Sequence, residues 1–144
     1  MQQIKWSEEY SVGIPEMDAQ HRQLMELLGA LAKFASSGGV VDPRTAIGEM
    51  KRQAEQHLQE EELMLSIRGY PEYARHKAEH DAYRAKAAAL EAQSGRRDFG
   101  TRITTFLTEW WSNHILHSAQ EYARYFESHP GVPADAGGEE PGEL

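Results

Sequence analysis

The chain has 144 residues, a formal net charge of -8, 40% hydrophobic residues and no cysteine, the size of one domain that can bury a core without covalent staples. The acidic balance argues against a nucleic-acid binder, because phosphate recognition needs basic patches and the Lys and Arg residues here are interspersed with acids. Disulfides, thiolate ligands and iron–sulfur clusters are excluded, which leaves His, Asp and Glu as the strong metal ligands.

The stretch before Pro15 carries Ile4, Trp6, Tyr10, Val12 and Ile14, a spaced apolar arm expected to pack on the core. It has no apolar signal region, and no run of about eighteen apolar residues occurs, so neither export nor membrane insertion is expected and a cytoplasmic location is the default. From Asp18 the helical spacing of Met17, His21, Leu24, Leu28 and Leu31 predicts a first helix ending at Ser36-Ser37-Gly38-Gly39. Asp42-Pro43 supplies an N-cap and a first-turn proline for a second helix, whose stripe Ile47, Met50, Ala54, His57, Glu61 and Met64 runs to a stop at Gly69.

Pro71 opens a third helix, with Tyr73, His76, His80, Tyr83, Ala87 and Leu90 facing inward, and Ser94-Gly95 closes it. A fourth begins near Asp98 and runs through Ile103, Phe106, Trp110, His114, His117 and Glu121 toward Phe126, stopping before Pro130. These four predict an all-α, antiparallel up-down-up-down four-helix bundle with the N-terminal arm packed on it, a domain of residues 1–129. Residues 130–144 are rich in Pro, Gly, Ala and Glu and are expected to form a disordered tail.

Two spacings carry chemistry. Four residues of helix turn through about 400° and rise about 6 Å, so His57 with Glu61, and His76 with His80, each present both side chains on one face. A lone inward histidine is most often a satisfied core residue. Here His21, His57, Glu61, His76, His80 and His114 all lie in inward stripes, and burying each without a partner costs about 1–3 kcal/mol. A metal pair satisfies them together, and imidazole with carboxylate suits iron, zinc and copper. Glu60 and Glu62 point about 100° away from Glu61 and read as a solvated charge run. His129 reads as a surface residue, and Trp110, Trp111, Tyr122 and Phe126 read first as core fillers.

The segments Trp6 to Ile14, Met17-Asp18-x-Gln20-His21, His57-x-x-x-Glu61-Glu62, Gly69-Tyr70-Pro71, His76-x-x-x-His80 and Trp110-x-x-Asn113-His114-Ile115-Leu116 together resemble the hemerythrins, most closely the bacterial ones, over residues 4–127. The resemblance implies a bundle holding two iron ions, oxo- or hydroxo-bridged, one with an open position for O2. His76, His80 and His114 are similar to the histidines of the filled iron, His21 and His57 to those of the O2-binding iron, and Glu61 to one bridging carboxylate. Manganese or a mixed pair also fits such a donor set. Leu24, Trp110, Trp111 and Ile115 would line the O2 pocket.

The pattern is broken at two places. The family's second bridging carboxylate is an aspartate five residues after the fourth-helix histidine, and this chain has Ala119 there. His117, about 4.5 Å and about 60° from His114 on an ideal helix, and Glu121, about 10.5 Å along the axis, are the candidates to replace the aspartate; water, hydroxide or a small carboxylate from solution beside Ala119 is favoured over both. Trp111 stands where the family usually has leucine, and its ring can turn into the pocket or out of it.

The function expected is reversible binding of O2 or a similar small diatomic for storage, delivery or sensing, by a monomer that is not primarily an enzyme. The alternatives are a di-metal peroxidase or oxidase exploiting an extra open position, and a degenerate, metal-poor sensor or interaction module. A ferritin-like oxidase fits poorly, because the chain contains no Glu-x-x-His.

Overall fold

The computed structural model describes residues 5–37 and 44–129. Its elements are a 3-10 turn at Glu8–Tyr10, α1 at Pro15–Ser36, α2 at Arg44–Ile67, α3 at Tyr73–Glu91, α4 at Phe99–Asn113, a π turn at His114–Ser118, and α5 at Ala119–Glu127. No strand occurs among the described residues. The expected N-cap at Asp42-Pro43, the arm residue Ile4 and the tail of residues 130–144 lie outside the described residues.

Local chemistry sets the helix ends. Pro15 occupies the first turn of α1, where a missing N–H costs nothing. The helix therefore begins three residues before the expected Asp18. Asp18 instead ties down the arm: its Oδ1 accepts the Val12 N–H at 2.8 Å and its Oδ2 accepts the Ser11 hydroxyl at 2.5 Å. At the end of α2, Gly69 adopts φ +70°, its N–H bonds to the Ser66 carbonyl, and the Tyr70 N–H reaches the Leu65 carbonyl. This is a Schellman motif, whose left-handed position favours glycine. Pro71 and Glu72 form a turn, so α3 starts at Tyr73 rather than at the proline.

Helix α1 packs on α2 and α4, and α3 packs on α2 and α4. Helices α2 and α3 run antiparallel: Lys51 near the start of α2 pairs with Glu91 at the end of α3, while Glu62 near the end of α2 meets His80 in the first half of α3. An all-α bundle is thus what the helical spacings form.

Two apolar clusters make the core. One gathers Leu24, Leu28, Leu31, Met50, Leu58, Ile103, Leu107 and Trp111. The other joins the arm residues Val12 and Ile14 to Met17, Leu65, Tyr70, Tyr122 and Phe126, so the arm packs on the bundle as expected. Burial of each such large side chain contributes about 1.5–3 kcal/mol. His21, His57, Glu61, His76, His80 and His114 are all buried, at 2% exposure or less, and are held within this apolar frame.

Candidate metal centre

The six polar side chains come from α1, α2, α3 and the π turn after α4, and they converge. His21, His57, Glu61 and His114 form one group, and Glu61, His76, His80 and His114 another, with ligand atoms in each within 4.8 Å of one another. Glu61 links the two. Its Oε1 lies 2.7 Å from Nε2 of His76 and 3.0 Å from Nε2 of His80. Its Oε2 lies 3.3 Å from Nε2 of both His57 and His114 and 3.8 Å from that of His21.

The outer hydrogen bonds fix which way the imidazole lone pairs point. Nδ1 of His57 lies 2.6 Å from Gln20 Oε1, and the Gln20 amide nitrogen donates to Glu60 at 2.6 Å, which fixes the amide's orientation. Nδ1 of His80 lies 2.8 Å from the Glu62 carboxylate, which can only accept. Both rings therefore carry their proton on Nδ1 and aim a bare Nε2 at the cluster. His80 Nε2 is buried with no hydrogen-bond partner, 3.0 Å from Glu61 Oε1. A cation between them is what satisfies this geometry, so the donor set fits a metal.

Electrostatics agree. Burial pushes the His114 imidazolium down to about 3 against the pull of Glu61, and burial likewise lowers His57. Burial alone would raise Glu61, but the surrounding histidines, His114 and His57 foremost, hold it well below the usual carboxylate range. At His57, His114 and Glu61 the site thus favours neutral imidazoles and an ionised carboxylate, the protonation states that bind metal. Burial lowers His80 too, but Glu61 and Glu62 outweigh it and raise the group overall.

Helix α4 does not run on as an ideal helix. The Ala119 N–H bonds to the His114 carbonyl, five residues back, which inserts one extra residue into the turn. The inward stripe shifts by one and continues as Ala119, Tyr122 and Phe126, all buried. His117 is consequently exposed, and Glu121 is drawn to Arg75 Nη2 at 3.1 Å. Neither joins the buried cluster, contrary to the possibility raised by ideal helix geometry. Ala119 is fully buried.

The hydroxyl of Tyr122 donates to Glu61 Oε2 at 2.7 Å. Burial first, and then the Glu61 charge, raises this phenol well above its ordinary range, so it stays a donor. Reading Tyr122 as a core filler missed this role. Reading Glu62 as solvated was also incorrect, since its side chain is only 13% exposed and it joins His80 to Arg84.

The expected pocket residues divide. Trp111 is fully buried, so its ring turns inward; it meets His57 and His114 edge-on, and its Nε1 donates to the Tyr83 hydroxyl at 3.2 Å. Trp110 is half-buried, stacks on His114 at 5.1 Å and meets His80, which places it against the His76–His80 group. Leu24 and Ile115 are fully buried. Leu24 also borders a polar cleft of about 290 Å³ that reaches His57 between Gln20, Gln23, Arg52, Gln53 and Gln56.

The model of the hemerythrin HHE cation binding domain matches residues 12–126. The chain belongs to the hemerythrin family. It is 30% identical to a bacteriohemerythrin of Stenotrophomonas maltophilia over 128 residues, which is 88% of this chain and 83% of that protein. A bacteriohemerythrin of Clostridium acetobutylicum is 30% identical over 124 residues, 81% of this chain and 96% of the relative. A hemerythrin-like protein of Naegleria gruberi is 26% identical over 119 residues, 83% of this chain and 90% of the relative. No solved structure matches. No helix among the described residues of this hemerythrin-family chain is long and apolar enough to cross a membrane.

Proposed function

We propose that this chain binds two iron ions through His21, His57, Glu61, His76, His80 and His114 and uses them to bind O2, or a similar small diatomic, reversibly. The observation that carries the reading is the convergence of five imidazoles on the two oxygens of one buried carboxylate. The family membership and the bacteriohemerythrin relatives support it. Bound iron would supply the redox change that lets O2 bind and leave.

The chain's own residues do the rest. Glu61 presents one oxygen to each histidine group, which suits a bridge. Gln20 and Glu62 hold His57 and His80 in the tautomers that can bind a cation. Tyr122 holds Glu61 in place. Leu24, Trp111 and Ile115, all buried, would supply the apolar bulk that excludes water and limits proton access at the open position. This work suits a monomeric cytoplasmic carrier, store or sensor.

The test is to load the metal-free protein with ferrous iron without air and then admit O2. A charge-transfer absorption that appears with O2 and fades on its removal supports the reading; immediate irreversible oxidation contradicts it.

A second reading is favoured by the polar cleft at His57. Together with the carboxylate lost at Ala119, it gives water or peroxide a route to the site, as a peroxide-consuming enzyme would need. Steady peroxide turnover with a reductant, abolished in His57→Ala, would establish that reading. Equal turnover in the variant would dismiss it.

A further inference from the structure

The two halves of the site differ in what stands behind their histidines. His80 donates through Nδ1 to an ionised carboxylate, Glu62, at 2.8 Å. The same Glu62 oxygen is held by Arg84 Nη1 at 2.8 Å, and Arg84 is itself fixed by Glu55 at 3.0 Å and Asp81 at 2.9 Å. His57 instead donates to the neutral amide of Gln20. Nδ1 of His21 is buried with no hydrogen-bond partner among the described residues.

We propose that the two metal positions are unequal by construction: the Glu62–Arg84 pair makes the His76–His80 position fill first and hold its metal tightly, while the His21–His57 position, backed by Gln20, loads second and exchanges, with His114 within reach of both. This rests on the two-metal reading given above. Glu62 and Arg84 are positioning residues; neither touches the metal.

The physical argument is one of charge and order. A carboxylate behind a metal-bound imidazole fixes the ring, makes the nitrogen a stronger donor, and adds negative charge near a dication. Glu62 does all three for His80, and the Arg84 clamp keeps its oxygen on the ring. Gln20 orients the His57 ring but brings no charge. Among the described residues no hydrogen bond at Nδ1 orients His21, so part of its ordering has to be supplied on metal binding. Ala119 brings no carboxylate that could even out the difference.

The full-length, metal-free chain is titrated with Co(II), followed by visible absorption and by calorimetry. Two separate steps are expected, the weaker one absent in His57→Ala. Glu62→Gln keeps the shape and loses the charge; it should weaken the tight step about 10- to 100-fold and leave the other unchanged. Arg84→Met, in which Glu62 remains but loses its clamp, should weaken the same step by less. Gln20→Leu should weaken only the second. Far-UV circular dichroism of each metal-free variant verifies folding. Two equal steps in the parent chain, or variants at Glu62 and Arg84 that both leave the tight step unchanged or weaken both steps alike, overturn this inference alone. No cobalt bound at all overturns the two-metal reading with it.

Discussion

Tyr122 and Glu61 are joined by a 2.7 Å hydrogen bond in which the phenol donates to the buried carboxylate. Tyr122 lies three residues beyond Ala119, on the inward stripe restored by the π turn. The helix that carries Ala119 therefore supplies a neutral donor that holds Glu61.

Removing that donor leaves a buried, charged acceptor short of a partner. Tyr122→Phe should destabilise the metal-free protein by about 1.5–3 kcal/mol, the range for hydrogen bonds to charged groups. Urea unfolding measures this. An unchanged midpoint would mean that the contact contributes nothing.

Ala119→Asp should act in opposite directions with and without metal. The position is fully buried, and an added carboxylate near Glu61 is a like charge in a dry site, so the metal-free variant should melt at a lower temperature than the parent. With iron bound, the new carboxylate can coordinate, and the variant should gain more stability from metal than the parent does. Melting curves with and without metal decide this; identical stabilisation by metal in both proteins would show that the position is not beside the metals.

Most of the buried His–Glu cluster is legible because its members recur at helical spacing within otherwise apolar stripes. His57 with Glu61, and His76 with His80, depend only on one regular helix each. The reading failed where regularity fails. Between His114 and Ala119 one extra residue enters the turn, and an ideal helix wrongly offered His117 and Glu121 as neighbours. The trace was present: the stripe through Ile103, Leu107, Trp111 and His114 resumes at Ala119, Tyr122 and Phe126 after a step of five. Glu62 and Gln20 were missed for a different reason. Each meets a histidine on a neighbouring helix, and the relative register of two helices is not written in either helix's own periodicity.

The metal-free fold should weaken in acid. His114 is held near 3, below the ordinary 6.5, by burial foremost, and His57 is lowered in the same way. Between pH 6.5 and 3 the unfolded chain takes up a proton at His114 that the folded chain refuses, so stability falls as pH falls through that window. His80 is shifted the other way, so its contribution is gained as pH falls toward 6.5 and does not counter the loss below it. The thermal midpoint of the metal-free protein should drop steadily from pH 6.5 to pH 4; a flat or rising profile would contradict neutral histidines in the core.

Trp111 is both core and pocket wall. Trp111→Ala should cost about 3–5 kcal/mol, the usual range for removing a buried aromatic side chain. In the iron-loaded protein it should also speed oxidation in air, since the wall beside His57 and His114 is gone. Stopped-flow absorption reads the rate, and a rate equal to the parent's would remove Trp111 from the pocket.

The central claim, that six converging side chains hold a pair of metal ions, is tested most directly by X-ray fluorescence of the protein purified with iron supplied. Two iron atoms per chain, falling in His57→Ala and in Glu61→Ala, is the predicted result. One or none per parent chain would contradict it.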